Sequence, residues 1–329
     1  QGHFAADHLP RAELRGSLDP DDRSLELSGV MQRLNLSPEL LACLPGECSR
    51  PLAALNAVRG EVDLDFSLRD RPSAGQPLQF AVSGRMIRGR VDDARLPYSL
   101  SDLRADFRCN QDGFVIDALT ARSGSTRLRL RCRHQGFAEL SPMEAEIDGE
   151  DVPLNEDLAR ALPEKLRRSW YDFRPEGTLN ASIKLEFDGQ RWKTNAVVSC
   201  QNVAFSYYKF PYRMEQGQGR WTLRDDVLST DNFCAYAAGQ RVDFQGRIVR
   251  PGPDFTGEIR LATTGIPFDK KLIAALPPSA GEVIQAMHPA GTFDAACRFY
   301  RDNPRTPGLH REIVLSLNHC TIQYDRFRY

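Results

Sequence analysis

Four arginines at alternate positions, Arg127, Arg129, Arg131 and Arg133, put guanidinium groups on one side of an extended segment. Such a stripe suits phosphate or a lipid headgroup, because a guanidinium matches two phosphate oxygens at once. A solvated strand face that also discourages edge pairing explains it without a ligand. The related segment Arg241, Asp243, Gln245, Arg247 does not keep the stripe. Glu61, Asp63 and Asp65 alternate in the same way. They read as oxygen ligands for calcium or, more simply, as the wet face of a sheet. The six histidines are scattered and fall into no metal-ligand spacing. No nucleophile elbow, Walker loop or dinucleotide-binding glycine motif is present. The reading is therefore of a non-enzyme with no catalytic residue, metal site or cofactor.

The eight cysteines make no zinc pattern, since Cys43 and Cys48 have no second pair. Cys109, Cys132, Cys200, Cys234, Cys297 and Cys320 read as small core residues. Cys109 and Cys132, if on neighbouring strands, would allow one disulfide in an oxidising compartment. Trp170, Trp192 and Trp221 are candidates for stacking on sugars. The aromatic stretch Ala204 to Tyr212 reads either as packing between units or as a recognition corner.

The elements that hold these residues follow from composition and repetition. Of 329 residues, 41% are hydrophobic and 26% charged, a balance that folds and is unlike a disordered chain. The net charge of −1 gives no field for nucleic acid, which is not expected as a partner. No run approaches the roughly 18 apolar residues of a membrane span. No signal peptide opens the chain, and Gln1 is not an initiator methionine, so a processed or excised piece is expected.

Internal repeats organise the rest. Phe210-Pro211-Tyr212 has counterparts in Leu96-Pro97-Tyr98 and Phe327-Arg328-Tyr329. Leu-Pro stops at Pro45, Pro163 and Pro277, and glycines at 60, 177 and 291, recur about 115 residues apart. Residues 1–33 are read as the end of one unit, 34–151 and 152–265 as whole units, and 266–329 as the opening of another. Each unit holds a short broken helix and roughly six antiparallel strands. Ser37 is a suitable N-cap with Pro38 at the first helical position, and Pro45 stops the helix. The same device recurs over 153–163 and 267–277, with second helical pieces at 164–170 and 281–287. Strands are expected at 24–31, 103–109, 114–121, 127–133, 219–223, 227–235, 241–248 and 255–262. Apolar parity changes between Cys200 and Val203, and between Leu317 and Cys320, which predicts β-bulges.

The strand–corner–strand pattern, with Phe210-Pro211-Tyr212, Asp225-Asp226, Gly239 and Phe244-Gln245-Gly246, resembles repeats of the bacterial AsmA-like family. Leu96-Pro97-Tyr98, Gln111-Asp112-Gly113 and Gly124 match it less fully. Arg328 stands where the pattern prefers proline. The resemblance implies a mainly β, elongated and twisted antiparallel β-groove that crosses the periplasm from an inner-membrane anchor. It also implies phospholipid movement toward the outer membrane, in a cell-envelope, periplasmic parent protein.

Alternation supplies the path. Val62, Leu64, Phe66 and Leu68 share one face, as do Leu179, Ala181, Ile183, Leu185 and Phe187. Val203, Phe205 and Tyr207, then Phe293, Ala295 and Phe299, and then Leu315 and Leu317 complete the candidate groove. Phospholipid is the expected ligand, membranes are reached through segments outside this chain, and any protein partner stays open. Two rival readings remain: a structural or adhesive envelope repeat whose apolar faces close into sandwiches, and a glycan-binding β-protein. Exposure of Leu64, Phe66, Ile183, Leu185, Phe293 and Phe299 separates the first rival from the groove.

Overall fold

The computed structural model describes residues 2–6, 9–21, 24–42, 57–71, 76–93, 96, 98–138, 140–252, 255–305 and 308–323. Most of these residues lie in antiparallel strands joined by short connections. The chain forms two compact units, Gln1–Glu150 with Ser182–Lys193, and Asp151–Ala181 with Thr194–Tyr329.

The first unit is a meander of β1 (Gly2–Ala6), β2 (Leu9–Asp19), β3 (Ser24–Leu36), β4 (Val58–Arg71), β5 (Gln76–Val91), β6 (Leu100–Asn110), β7 (Gly113–Ser123), β8 (Thr126–Gln135) and β9 (Met143–Pro153). Each strand pairs antiparallel with the next. Helix α1 (Pro38–Ala42) follows β3, and Leu40 N–H donates to Ser37 Oγ at 3.3 Å, as its N-cap role requires. Part of β10 (Thr178–Phe187) and the start of β11 (Trp192–Tyr207) belong to this unit.

The second unit carries α2 (Glu156–Ala161) and α3 (Glu164–Phe173), then the rest of β11, β12 (Phe210–Arg224), β13 (Val227–Ala237), β14 (Gln240–Val249) and β15 (Thr256–Pro267). After α4 (Lys270–Ala275) and α5 (Pro278–Ala286) come β16 (Ala290–Arg301) and β17 (His310–Thr321). From β11 to β17 the ladder is again antiparallel between neighbours. Asn155 and Asp269 cap α2 and α4 by accepting the N–H of Leu158 and Leu272. Six strands separate one helical insertion from the next.

Alternation aligns apolar residues across each meander. In the first unit Met31, Leu64, Gly84, Phe107, Ile116, Cys132 and Ala145 form one cross-strand row. Gly84 makes room in it: a Cβ there would meet Phe107 Cζ at 2.4 Å and Leu64 Cδ2 at 2.6 Å. In the second unit Phe233, Phe244, Leu261, Cys297 and Ile313 form a comparable row. Full burial is concentrated toward the strand ends beside the helical insertions. Met86, Leu103 and Ala121 are buried there with Leu36 and Val58 against them. Tyr212, Ile266 and Phe293 are buried with Leu272 and Ala275 of α4. Helix α4 thus covers one end of the second unit's apolar face.

The glycines at 60, 177 and 291 share one device. Their φ values are +156°, +112° and +118°, and a Cβ on each would strike a carbonyl of the next strand, of Arg88, Asn202 and His319. Register breaks occur between Cys200 and Val203 and between Ala290 and Thr292, opposite Thr321 and Asn318. The sequence reading needs three corrections. Strands run longer than expected: β3 reaches Leu36, β15 reaches Pro267, and β12 starts at Phe210 instead of Gly219. Phe210-Pro211-Tyr212 is therefore the start of a strand, and the turn is Tyr208-Lys209. Cys109 and Cys132 are free thiols on β6 and β8, with β7 between them, so they do not face each other as neighbours. Pro45, Pro97, Cys43, Cys48 and 324–329 lie outside the described residues.

Candidate functional site

The candidate path divides by depth. Val62, Val203 and Phe293 are buried at 2%, 5% and 7% exposure, so they are core residues. Leu64, Phe66, Leu68, Leu179, Ala181, Ile183, Leu185, Phe187, Phe205, Tyr207, Ala295 and Phe299 stay partly exposed along the same faces. Leu315 and Leu317 are more than half exposed, at 52% and 55%. The gradient has a physical cause. Phe293 packs with Leu272 and Ala275 of α4 and lies 4.9 Å from Phe268, whereas Leu315 and Leu317 of β17 stand outside that cluster.

Aromatic rings line the second unit's face. Phe205 lies 6.1 Å from Phe233 and 6.0 Å from Phe244, and Phe173 of α3 lies 5.1 Å from Tyr207. Burial pushes the Tyr207 hydroxyl up, and the cations of Lys209 and Arg311 pull it back. Both are exposed, and no ion pair joins either one among the described residues. Burial also lifts Tyr212 to about 12, with no partner for its hydroxyl among the described residues. Cys200, on the apolar face, is raised to about 11 by the same cause.

The opposite face is charged and largely neutralises itself. Arg127 pairs with Glu150 at 2.8 Å, Arg85 with Asp106 at 2.7 Å, and Arg108 with Asp117 at 2.7 Å. Arg129 and Arg131 lie within 3.7 and 3.9 Å of Glu150 and Glu146. The arginine stripe thus faces the acidic residues of β9. Glu61 pairs with Arg33 at 3.1 Å, and Asp63 accepts the Arg33 N–H at 2.7 Å. Small residues on this side, Ser28, Ser67, Ala81 and Ser83, leave a shallow depression of about 870 Å³.

Comparison with protein-family models, with curated proteins and with solved structures gave no match. The functional reading therefore rests on the site.

The tryptophans occupy three separate elements. Trp221 packs on Phe233 at 5.7 Å, Trp192 stacks on Phe187 at 4.9 Å, and Trp170 is on α3. Among the described residues, no helix is long and apolar enough to cross a membrane. Sequence reasoning missed Lys209 and Arg311. The only available signal was a cation placed next to an aromatic or apolar run, which is too common to single out a site.

Proposed function

We propose that this chain is a segment of a bacterial envelope protein that shields phospholipid acyl chains on apolar sheet faces during transfer between membranes. The observation that carries this reading is the set of apolar side chains left partly or largely exposed on the strands, Leu64, Phe66 and Leu68 in the first unit and Leu261, Phe299, Leu315 and Leu317 in the second. Removing an acyl chain from water is worth about 0.8 kcal/mol per CH₂. Such a face offsets that cost with no bond chemistry, while a phosphate headgroup stays in solvent beside Lys209 and Arg311. The reading includes a twisted, elongated groove of about 115-residue repeats. It also includes a periplasmic setting and a membrane-anchored parent.

A structural or adhesive repeat with closed sandwich cores is the second reading. Burial of Val62, Val203 and Phe293 favours it locally, and exposure of Leu315 and Leu317 opposes it. Lipid extraction from protein purified without detergent tests the proposal. Phospholipid is expected in the parent and is expected to be lost in Ile183→Asp/Leu185→Asp. A folded, lipid-free parent contradicts the proposal.

A further inference from the structure

Helix α3 is held to the second unit at its C-terminal end. The Asp172 carbonyl accepts the Tyr208 N–H at 2.8 Å, and Phe173 packs 5.1 Å from Tyr207. At 3.6 residues per turn, Leu166, Trp170 and Phe173 fall within about 60° of the helix circumference. Leu166 and Phe173 are 52% and 43% exposed, and Tyr208 on the adjoining turn is 49% exposed. Cations border this stripe. Arg167 lies beside it next to Trp170, Arg174 follows the last turn, and Lys209 sits over the Tyr208 ring at 5.3 Å. Glu164, Arg168 and Asp172 take the opposite side of the helix, where Glu164 pairs with Arg168. The Tyr171 hydroxyl donates to Glu156 of α2 at 2.6 Å, which fixes that side against α2. Helix α5 holds the same place in the next repeat. Its Val283 is 53% exposed, but it carries one acid and no cation, so the fold alone does not call for the pattern on α3.

We propose that α3 and the Tyr208-Lys209 turn dock on the surface of an anionic phospholipid bilayer. Leu166, Trp170 and Phe173 enter the headgroup layer, and Arg167, Arg174 and Lys209 meet lipid phosphates. An exposed Leu-Trp-Phe stripe with cations at its border and acids behind it matches a bilayer interface. Apolar side chains leave water there, while long cationic side chains keep their charge at the level of the phosphates. A second copy of this chain would instead bring the same cations against these. The docking does not rest on acyl-chain shielding, because binding at the surface needs no lipid to leave the bilayer.

Flotation of the full chain with phosphatidylcholine vesicles, with and without phosphatidylglycerol, tests the docking. The parent is expected to float with the anionic vesicles and to bind neutral ones at least about fivefold more weakly. Arg167→Gln is expected to weaken binding about fivefold. Leu166→Asp is expected to weaken it about tenfold, with unchanged circular dichroism. Val283→Asp removes an equally exposed apolar side chain from α5 and is expected to bind as the parent does. Brominated lipid is expected to quench tryptophan fluorescence in the parent and to lose that effect in Trp170→Phe. A parent that binds no vesicles, equal binding to neutral and anionic vesicles, or a Val283→Asp loss as large as that of Leu166→Asp overturns the proposal. Phospholipid in the purified parent together with no vesicle binding overturns the docking alone, and vesicle binding by a lipid-free parent overturns the shielding alone.

Discussion

Truncating one phenylalanine on the partly exposed face and one in the core should have unequal effects. Phe233 is 4% exposed and ringed by Phe244 at 5.4 Å, Trp221 at 5.7 Å and Phe205 at 6.1 Å. Phe233→Ala leaves a sealed cavity and is expected to cost about 3–5 kcal/mol. Phe66 keeps part of its ring in solvent and lies over Gly29, where a Cβ would come within 2.9 Å of Phe66 Cε1. Its truncation forfeits part of a burial worth about 1.5–3 kcal/mol, and water can fill the space, so Phe66→Ala should cost about 1–2 kcal/mol. Urea titrations followed by far-ultraviolet circular dichroism compare the two midpoints. Equal costs would mean that a second layer covers Phe66, and the argument for an accessible apolar face would fail.

Gly84→Val forces a branched side chain against Leu64 and Phe107 and is expected to cost about 1–3 kcal/mol, seen as a lower melting temperature. An unchanged melt would mean that the row is loosely packed. Cys200, pushed up to about 11, should alkylate slowly at pH 8 and speed up roughly tenfold per pH unit toward that value. Peptide mass spectrometry reads the rate, and labelling at pH 8 as fast as an exposed thiol contradicts the assignment. Arg298 holds Glu258 below the usual carboxylate range through a hydrogen bond at 2.7 Å. A depressed folded value stabilises fully above the unfolded one, about 4.3, and the contribution disappears as pH falls through the folded value. The deficit of Arg298→Gln should therefore be largest near neutrality and vanish in acid, as measured by urea midpoints across pH; a deficit independent of pH refutes the linkage.

Much of the fold could be read from the residues because alternation depends only on local geometry. Val62 to Leu68 share a face because strand side chains alternate, and Ser37-Pro38 starts a helix through its own hydroxyl. Depth was not legible. Val62 and Leu64 are both aliphatic and two residues apart, yet the first is buried and the second partly exposed. The start of β12 was also hidden, since Pro211, Gly217 and Gly219 resemble breakers. The structure uses Gly217 for close backbone approach, where a Cβ would lie 2.7 Å from the Val203 carbonyl oxygen. Cys109 and Cys132 sit on expected strands with a third, 114–121, between them in sequence, and consecutive pairing puts that strand between them in the sheet as well. Pairing of the arginine stripe with β9 was invisible because Arg127 and Glu150 meet only through register.

The most direct test of the lipid-shielding reading uses the period of the strand itself. A photoreactive residue placed singly at positions 63 to 68 of β4 is activated in the presence of labelled phospholipid vesicles, and the adduct is measured by mass spectrometry. The account predicts adducts at Leu64, Phe66 and Leu68 and none above background at Asp63, Asp65 and Ser67. Equal labelling on both faces, or labelling confined to the charged face, would contradict it.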